Sequence, residues 1–143
     1  MRFYMNRVVF VMVITLVVML GALTNTETYG EDDITLQKLS GIWWTYYAND
    51  VPWAIQFNED GTFRTAHTYL RLQKSPQDEG RFQLEGTSLT LISDENCKGS
   101  CKGLKGLYEV EFTKLNKLLL KPQKDPCSER KAVCSSPWVR VLE

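Results

Sequence analysis

Four cysteines carry the clearest chemistry in this sequence, and all of them lie late in the chain, at Cys97, Cys101, Cys127 and Cys134. Their spacings, C-x3-C and C-x6-C, differ from the C-x2-C pairs of zinc sites, and a redox C-x-x-C motif is absent. The first 30 residues have the pattern of an export signal, and an even number of cysteines in an exported chain favours structural disulfides. We therefore predict that all of these cysteines are paired, and their spacing leaves the pairing open.

The other residues able to do chemistry form no recognisable catalytic pattern. His67 is the single histidine, and without a Ser/Asp or Cys pattern beside it we predict a surface or strand residue. Glu59 and Asp60 are adjacent carboxylates in a tight-turn sequence, whereas glycosidases need two carboxylates that face one cleft. The sequence contains no nucleophile elbow, Gly-rich phosphate loop or H-E-x-x-H motif. We therefore expect no enzymatic activity, no catalytic residue, no metal site and no cofactor.

Composition narrows the class of protein. A length of 143 residues is typical of one domain. The 17 Lys and Arg residues balance 17 Asp and Glu residues, so the basic excess of a nucleic-acid binder is missing and we expect no nucleic-acid partner. Charged residues at 24% and aromatic residues at 11% indicate a folded core rather than disorder.

The N-terminal segment, residues 1–30, has the pattern of an export signal. Arg2 and Arg7 precede an almost unbroken apolar run over residues 8–23. This run is shorter than the roughly 20 residues of a membrane-spanning helix. A cleaved signal peptide and a retained signal anchor both remain open, and membrane contact is expected only through this segment if it is retained. Either way, we expect a secreted or periplasmic domain over residues 31–143.

That domain reads as a short helix followed by strands and turns. The helix is predicted over residues 31–40, with Asp33 as its N-cap. Apolar residues then alternate with polar residues on short runs separated by turns, which is typical of antiparallel strands with one wet face. The predicted strands cover residues 41–48, 53–57, 62–72, 80–85, 88–92, 106–112, 117–121 and 137–142.

A faint internal repeat suggests how these strands connect. GRFQLE at 80–85 and GLYEVE at 106–111 each lead to an L-x-L strand and then to a cysteine-containing loop. Consecutive hairpins form an up-and-down meander, and about eight strands remove their edges by closing into a barrel. The tight turns then share one end of the barrel. The long connections, with all four cysteines, share the other end, which we predict to be an open mouth.

The ordered motifs resemble those of lipocalin-like (calycin-type) domains of small secreted bacterial proteins. Gly41-Ile42-Trp43, after a short helix and at the start of the first strand, looks like the lipocalin G-x-W motif. FNEDGTF at 57–63, the two repeat units and DPCSER at 125–130 match the wider pattern. The resemblance implies an antiparallel barrel that binds a small apolar or amphipathic molecule and has no catalytic residues. The exported part is short for a lipocalin, and small barrels are often filled by side chains.

The resemblance also assigns structural roles at the closed end of the barrel. Trp43 is expected in the core, and Arg140 in the last strand is expected to pack over its indole, as the corresponding arginine does in lipocalins. That contact requires the last strand to pair with the first strand.

Candidate ligand-binding residues lie at the predicted mouth: Trp53, Asn49, Tyr47 and Arg130. An indole at the position of Trp53 can stack on a ligand, and plain core packing is the alternative. Basic residues also cluster there and could attract an anionic headgroup or polymer. These are Lys98, Lys102, Lys105, Lys121, Lys124, Lys131 and Arg130. Interleaved acidic residues weaken their field, so solvated surface charge is the simpler interpretation.

Two functions remain in view from the sequence. The first is an exported, non-enzymatic barrel that binds a small ligand at its open end. The alternative is a structural or protein-interaction module of the cell envelope whose barrel is filled. Cavity volume separates them, since a large apolar cavity with polar groups at its mouth favours ligand binding.

Overall fold

The computed structural model describes residues 34–47 and 50–142, which all fall within one compact unit, Asp33–Glu143. The predicted signal segment at residues 1–30 lies outside the described residues, as do Asp33 and Asn49. Among the helices of the described part, none is long and apolar enough to cross a membrane.

Eight strands form one antiparallel sheet in which each strand pairs with its neighbours in sequence. They are β1 (Gly41–Tyr47), β2 (Val51–Phe57), β3 (Thr62–Ala66), β4 (Asp78–Glu85), β5 (Ser88–Ser93), β6 (Lys105–Phe112), β7 (Leu118–Lys124) and β8 (Val139–Arg140). The sheet curls round because β8 pairs with β1, and Trp138, just before β8, bridges to Leu118 at the start of β7. The result is a nearly closed up-and-down barrel, and the predicted fold class is confirmed.

Alternation of residue types explains which face of each strand is buried. In β6 the side of Tyr108 and Val110 is buried, whereas Glu109 and Glu111 are exposed. The tight β2–β3 turn depends on Gly61, whose φ of 81° is a conformation that other residues rarely adopt. Because consecutive antiparallel strands alternate in direction, this turn and the β4–β5 and β6–β7 turns lie at the same end of the barrel, as predicted.

Most of the large buried side chains fill the barrel interior. The largest fully buried residues are Trp43, Trp138, Tyr108, Phe57, Phe63, Leu39, Ile55, Leu72, Leu89, Leu91, Leu118 and Leu120. Most of them belong to one continuous hydrophobic cluster. A second, small cluster of Ala54, Ala66 and Leu72 is separate from it.

The helices differ from the sequence prediction in three places. Helix α1 covers only Leu36–Leu39 and is capped by Thr35, whose hydroxyl accepts from Lys38 N at 3.2 Å; the predicted Asp33 cap is therefore wrong. The third predicted strand ends at Ala66, and a 3-10 helix at Tyr69–Arg71 follows it. Helix α2 (Ser128–Cys134) forms in a segment predicted to have no helix, because Arg130, Val133 and Cys134 are buried at helical spacing.

The predicted contact between Arg140 of β8 and Trp43 of β1, at the closed end of the barrel, is present. Arg140 and Trp43 are register partners across β8 and β1, and the guanidinium carbon lies 4.3 Å from the indole centroid. The Arg140 guanidinium also donates to the carbonyls of Lys38 and Ser40, the latter at 2.7 Å. Trp43 donates from Nε1 to the Leu39 carbonyl at 2.8 Å, so the indole fixes α1 against the barrel end.

The two glycines that open the repeat units have a common steric reason. A Cβ at Gly80 would overlap the backbone of Ile92, and a Cβ at Gly106 would overlap the carboxylate of Asp125. Both glycines are buried at the start of a strand. At Gly106, the space left by the missing side chain is occupied by Asp125 and its partner Arg130.

Candidate functional site

The end of the barrel predicted as an open mouth is covered. Helix α2 and residues 94–104, together called the plug here, lie across the ends of β4 to β7. Gly99 N donates to Gln77 O at 2.6 Å, and Asp94 N donates to Glu79 O at 2.8 Å, which holds the plug loop against β4. Val133 and Cys134 of α2 belong to the main hydrophobic cluster. The mouth is covered because the apolar face of α2 is buried there.

One disulfide joins the two parts of the plug. It links Cys101 in the β5–β6 loop to Cys127, the N-cap residue of α2, with the Cα atoms 5.3 Å apart. Cys97 and Cys134 are buried free thiols, so the prediction that all four cysteines pair is wrong in this structure. Their surroundings differ, since Cys97 lies beside the carboxylate of Asp78 whereas Cys134 lies in the hydrophobic cluster beside Tyr108.

Beneath the plug lies a buried charged cluster centred on Arg130. Its guanidinium forms a bidentate pair with Asp125, at 2.7 Å to Oδ2 and 3.0 Å to Oδ1, and lies 3.5 Å from Asp78 Oδ2. Arg130 also donates to the Ser93 hydroxyl, which in turn donates to Asp78 Oδ2 at 2.8 Å. The Tyr108 hydroxyl donates to Asp125. The cluster thus ties α2 to the ends of β4, β5, β6 and β7.

The two carboxylates of this cluster have opposite electrostatic character. Burial raises the pKa of Asp78 above its ordinary value, and one of its oxygens, Oδ1, is buried without a hydrogen-bond partner. Burial also acts to raise the pKa of Asp125, but hydrogen bonds from Arg130 and Tyr108 outweigh it and hold that pKa below the ordinary value. Asp125 is therefore the ionised partner that keeps Arg130 charged.

The cavity between the plug and the barrel core is small. Its volume is about 30 Å³, and Trp53, Asp78, Arg130, Cys134 and Trp138 are among its lining residues. That volume suits about one water molecule, whereas pockets for small ligands have volumes of about 300–1,000 Å³. This cavity therefore has no room for a lipid-sized molecule while the plug is in place.

The predicted ligand-binding residues are not assembled into an open site. Trp53 is only 7% exposed and packs against His67, with ring centroids 4.4 Å apart. Arg130 is only 5% exposed and is paired within the charged cluster, so it does not belong to a basic rim. Tyr47 lies at the exposed end of β1, and Asn49 is outside the described residues.

The outer surface offers more room than the interior. An aromatic groove of about 560 Å³ crosses the outside of β1 and β2 and reaches the 3-10 helix. Its lining includes Trp44, Tyr46, Pro52, His67, Tyr69 and Leu142. Trp44 and Tyr46 form an edge-to-face pair with centroids 4.9 Å apart, and Tyr46 and Tyr69 are 54% and 52% exposed. The sequence carried a signal for this groove, since Ile42, Trp44 and Tyr46 alternate on one strand face.

The predicted basic rim is divided between different surroundings. Lys98 donates to the Ser75 hydroxyl at 3.2 Å, and Lys121 lies within β7, where it pairs with Glu111. Lys105, Lys124 and Lys131 instead border a second outer groove of about 820 Å³, called the basic groove here. In the part of the chain that the structure covers, no group of three His, Cys, Asp or Glu side chains is placed to hold a metal ion.

The chain matches no protein-family model, no curated protein and no solved structure. The functional argument therefore depends on the geometry of the barrel, the plug and the two grooves.

Proposed function

We propose that this protein is an exported, non-enzymatic barrel whose interior is filled and which acts as an interaction module of the cell envelope through its outer surface. The covered mouth carries this proposal. The plug is held by a disulfide and by the buried Arg130–Asp125 pair, and it leaves a cavity of only about 30 Å³. A filled barrel was the alternative from the sequence, and the cavity volume favours it over an interior ligand site.

A lipocalin-like relationship remains part of the proposal. It is supported by the meander of eight strands, by α1 immediately before β1, and by Arg140 stacked on Trp43 at the closed end. Export is supported by the Cys101–Cys127 disulfide, since structural disulfides persist in oxidising compartments. The absence of catalysis is supported by the charged cluster, whose perturbed groups are paired with one another beneath the plug.

The aromatic groove is the surface that best suits a protein or small-molecule contact. Exposed aromatic side chains contribute large contact areas, and Trp and Tyr are enriched at energetic centres of interfaces. A small amphipathic ligand bound in this groove is a second candidate, because its volume of about 560 Å³ lies within the usual range for ligand pockets.

Native mass spectrometry of the protein purified from its own compartment tests the filled barrel. We expect the mass of the chain with one disulfide and no small-molecule adduct, and no saturable binding of a fluorescent fatty acid. A stoichiometric apolar adduct would overturn the filled barrel. If such an adduct were lost on Tyr46→Ala but kept on Leu115→Ala, the second candidate would replace the first.

Photo-crosslinking in the producing cells tests the interaction surface. A crosslinking amino acid at Tyr69 should capture a defined partner, whereas the same amino acid at Leu115 should not. Leu115 is a matched control because it is an exposed apolar residue in the β6–β7 turn, at the opposite end of the barrel. The same capture pattern at both positions, or capture at neither, would contradict the assignment of the aromatic groove.

A further inference from the structure

The basic groove lies on the outer face of β5, β6 and β7 beside α2. Lys105 begins β6, Lys124 ends β7, and Lys131 lies on α2. Lys124 is the register partner of Leu107, so Lys105 and Lys124 are diagonal neighbours on one face, with Cα atoms about 7–8 Å apart. All three lysines are exposed. The groove therefore presents separated positive charges along its length.

Among the described residues, no acidic side chain forms an ion pair with these lysines. Asp125 lines the groove, but its carboxylate is occupied by Arg130 and Tyr108. Glu129, the nearest acid in sequence to Lys131, accepts from Ser100 at 2.5 Å instead. Over residues 34–47 and 50–142, none of the three lysines forms an ion pair, in contrast to Lys121 with Glu111. The lining of the groove thus carries three lysines and a single carboxylate, which is paired with Arg130, although the whole chain is neutral.

We propose that the basic groove binds successive phosphate groups of a flexible, phosphate-bearing polymer. Lysine ammonium groups bind phosphate as point charges. A groove of about 820 Å³ far exceeds the volume of one phosphate, and the lysines are spread along it rather than converging on one point. Its concave shape fits an extended chain better than the flat surface of a membrane.

The lining also distinguishes between kinds of phosphate polymer. Proteins that bind single-stranded nucleic acid combine basic grooves with aromatic side chains on which bases stack. The lining of the basic groove contains Thr90, Leu107, Pro122, Gln123 and Pro126 beside the lysines and Asp125, and it contains no aromatic residue. A polymer without bases is therefore the favoured occupant. This site is separate from the aromatic groove on β1 and β2 and does not depend on its role.

Binding of inorganic polyphosphate to the folded protein tests the proposal. We expect saturable binding at about 50 mM salt that weakens roughly 20-fold at about 200 mM salt, as expected for three contacts with a slope of about −0.7 each. The triple variant Lys105→Gln, Lys124→Gln, Lys131→Gln should lose at least about tenfold in affinity. A matched control, Lys74→Gln, Lys114→Gln, Lys117→Gln, has the same net charge and should bind like the parent.

The outcomes distinguish binding in the basic groove from a general effect of net charge and from binding of anionic lipids. Equal losses in the two triple variants would overturn the proposal, because affinity would then follow net charge alone. Absence of polyphosphate binding at low salt would also overturn it, including the case in which anionic lipid vesicles bind instead. The single variant Lys131→Glu provides a second test if the triple variant does not fold, and its expected result is again a loss of polyphosphate affinity.

Discussion

Two arginines stabilise the two ends of this barrel through different interactions. Arg140 stacks on an indole and hydrogen-bonds to two carbonyls at the closed end, where it is half-buried. Arg130 is buried beneath the plug and depends on the carboxylate of Asp125. The first residue stabilises mainly by packing, whereas the second one needs charge compensation.

The stacking interaction predicts a clear loss of stability on truncation of Arg140. Arg140→Ala removes the cation–π contact, worth about 0.5–2 kcal/mol, and hydrogen bonds to the carbonyls of Lys38 and Ser40. Arg81→Ala on the exposed side of β4 is the control and should change stability by about 0.5 kcal/mol or less. Urea unfolding of both variants checks this. Equal losses of unfolding free energy in the two variants would show that the stacking contact does not stabilise the barrel.

The charged cluster predicts different costs for two similar substitutions. Asp125→Asn leaves the buried Arg130 without its bidentate partner, and breaking such a pair costs about 3–5 kcal/mol. Asp78→Asn should cost about 1 kcal/mol or less at neutral pH, since burial already disfavours the charge of Asp78. Unfolding midpoints of the two variants decide the matter, and a larger cost at Asp78 would show that the roles are reversed.

The same carboxylates predict the response to acid. The pKa of Asp125 is lowered in the folded protein, so its contribution is present above the unfolded value of about 3.9 and is lost as pH falls through the folded value. The raised pKa of Asp78 acts in the opposite sense, and its contribution is lost as pH rises through that pKa. Below about pH 4 the parent protein should therefore lose stability that Asp125→Asn has already lost. A parallel acid profile for both proteins would contradict this.

The two free thiols should be protected from alkylation in the folded protein and should react once the protein is unfolded. Burial raises the pKa of Cys97, and it raises the pKa of Cys134 to about 12, so neither forms the reactive thiolate at neutral pH. Mass mapping under non-reducing conditions should show one Cys101–Cys127 bond and two thiols that alkylate only in urea. A Cys97–Cys134 bond in protein from the native compartment would restore the original expectation of two disulfides.

At the scale of elements, the plug predicts how stability depends on redox state. The Cys101–Cys127 bond closes a separation of 26 residues, and a disulfide of this size typically contributes about 2–4 kcal/mol. Replacing both cysteines by serine should lower the unfolding midpoint by a matching amount. Addition of reductant should shift the parent protein but not the double variant. An equal shift in both proteins would place the effect of reductant elsewhere.

The strands were predictable from the sequence because each depends on local alternation. GLYEVE at 106–111 alternates buried and exposed residues, and β6 at Lys105–Phe112 follows that pattern. The pairing of β8 with β1 was also predictable, since closing a meander requires it. Helix α2 was missed because it is short and lies between two cysteines, where a loop was the simpler interpretation. The helical spacing of Arg130, Val133 and Cys134 was the available signal.

The candidate site was harder to predict because it depends on contacts between distant segments. Arg130 meets Asp78 and Ser93, which lie 52 and 37 residues away in sequence, and no local pattern connects them. The polar character of Arg130 suggested a solvated rim, whereas its bidentate pairing allows full burial. Because Arg130 is buried, helix α2 lies over the mouth and reduces the interior volume. That volume could not be predicted from the sequence.

At the scale of the whole molecule, the small interior cavity favours binding on the outside of the barrel. Two grooves on different strands differ in chemistry: an aromatic groove on β1 and β2, and a basic groove on β5, β6 and β7. The Cys101–Cys127 disulfide and the bridge between Trp138 and Leu118 connect the strands that carry these grooves. Two unlike outer surfaces match the proposed interaction module, which would use them for contacts of different chemistry.

Closure of the seam gives a prediction for the molecule as a whole. Trp138 is fully buried, and its backbone exchanges two hydrogen bonds with Leu118, at 2.8 and 2.9 Å, which join the last segment of the barrel to β7.

Trp138→Ala should cost about 3–5 kcal/mol by opening a cavity at this seam. Trp138→Phe should cost much less, because the indole Nε1 is buried without a hydrogen-bond partner and its removal breaks no bond. Trp44→Ala, at a half-buried position on the outer face, is the control and should cost only about 0.5–1.5 kcal/mol, through the lost edge-to-face contact with Tyr46. Urea unfolding should give one cooperative transition in each case. A cost for Trp44→Ala equal to that of Trp138→Ala would mean that the seam is not what holds the barrel closed.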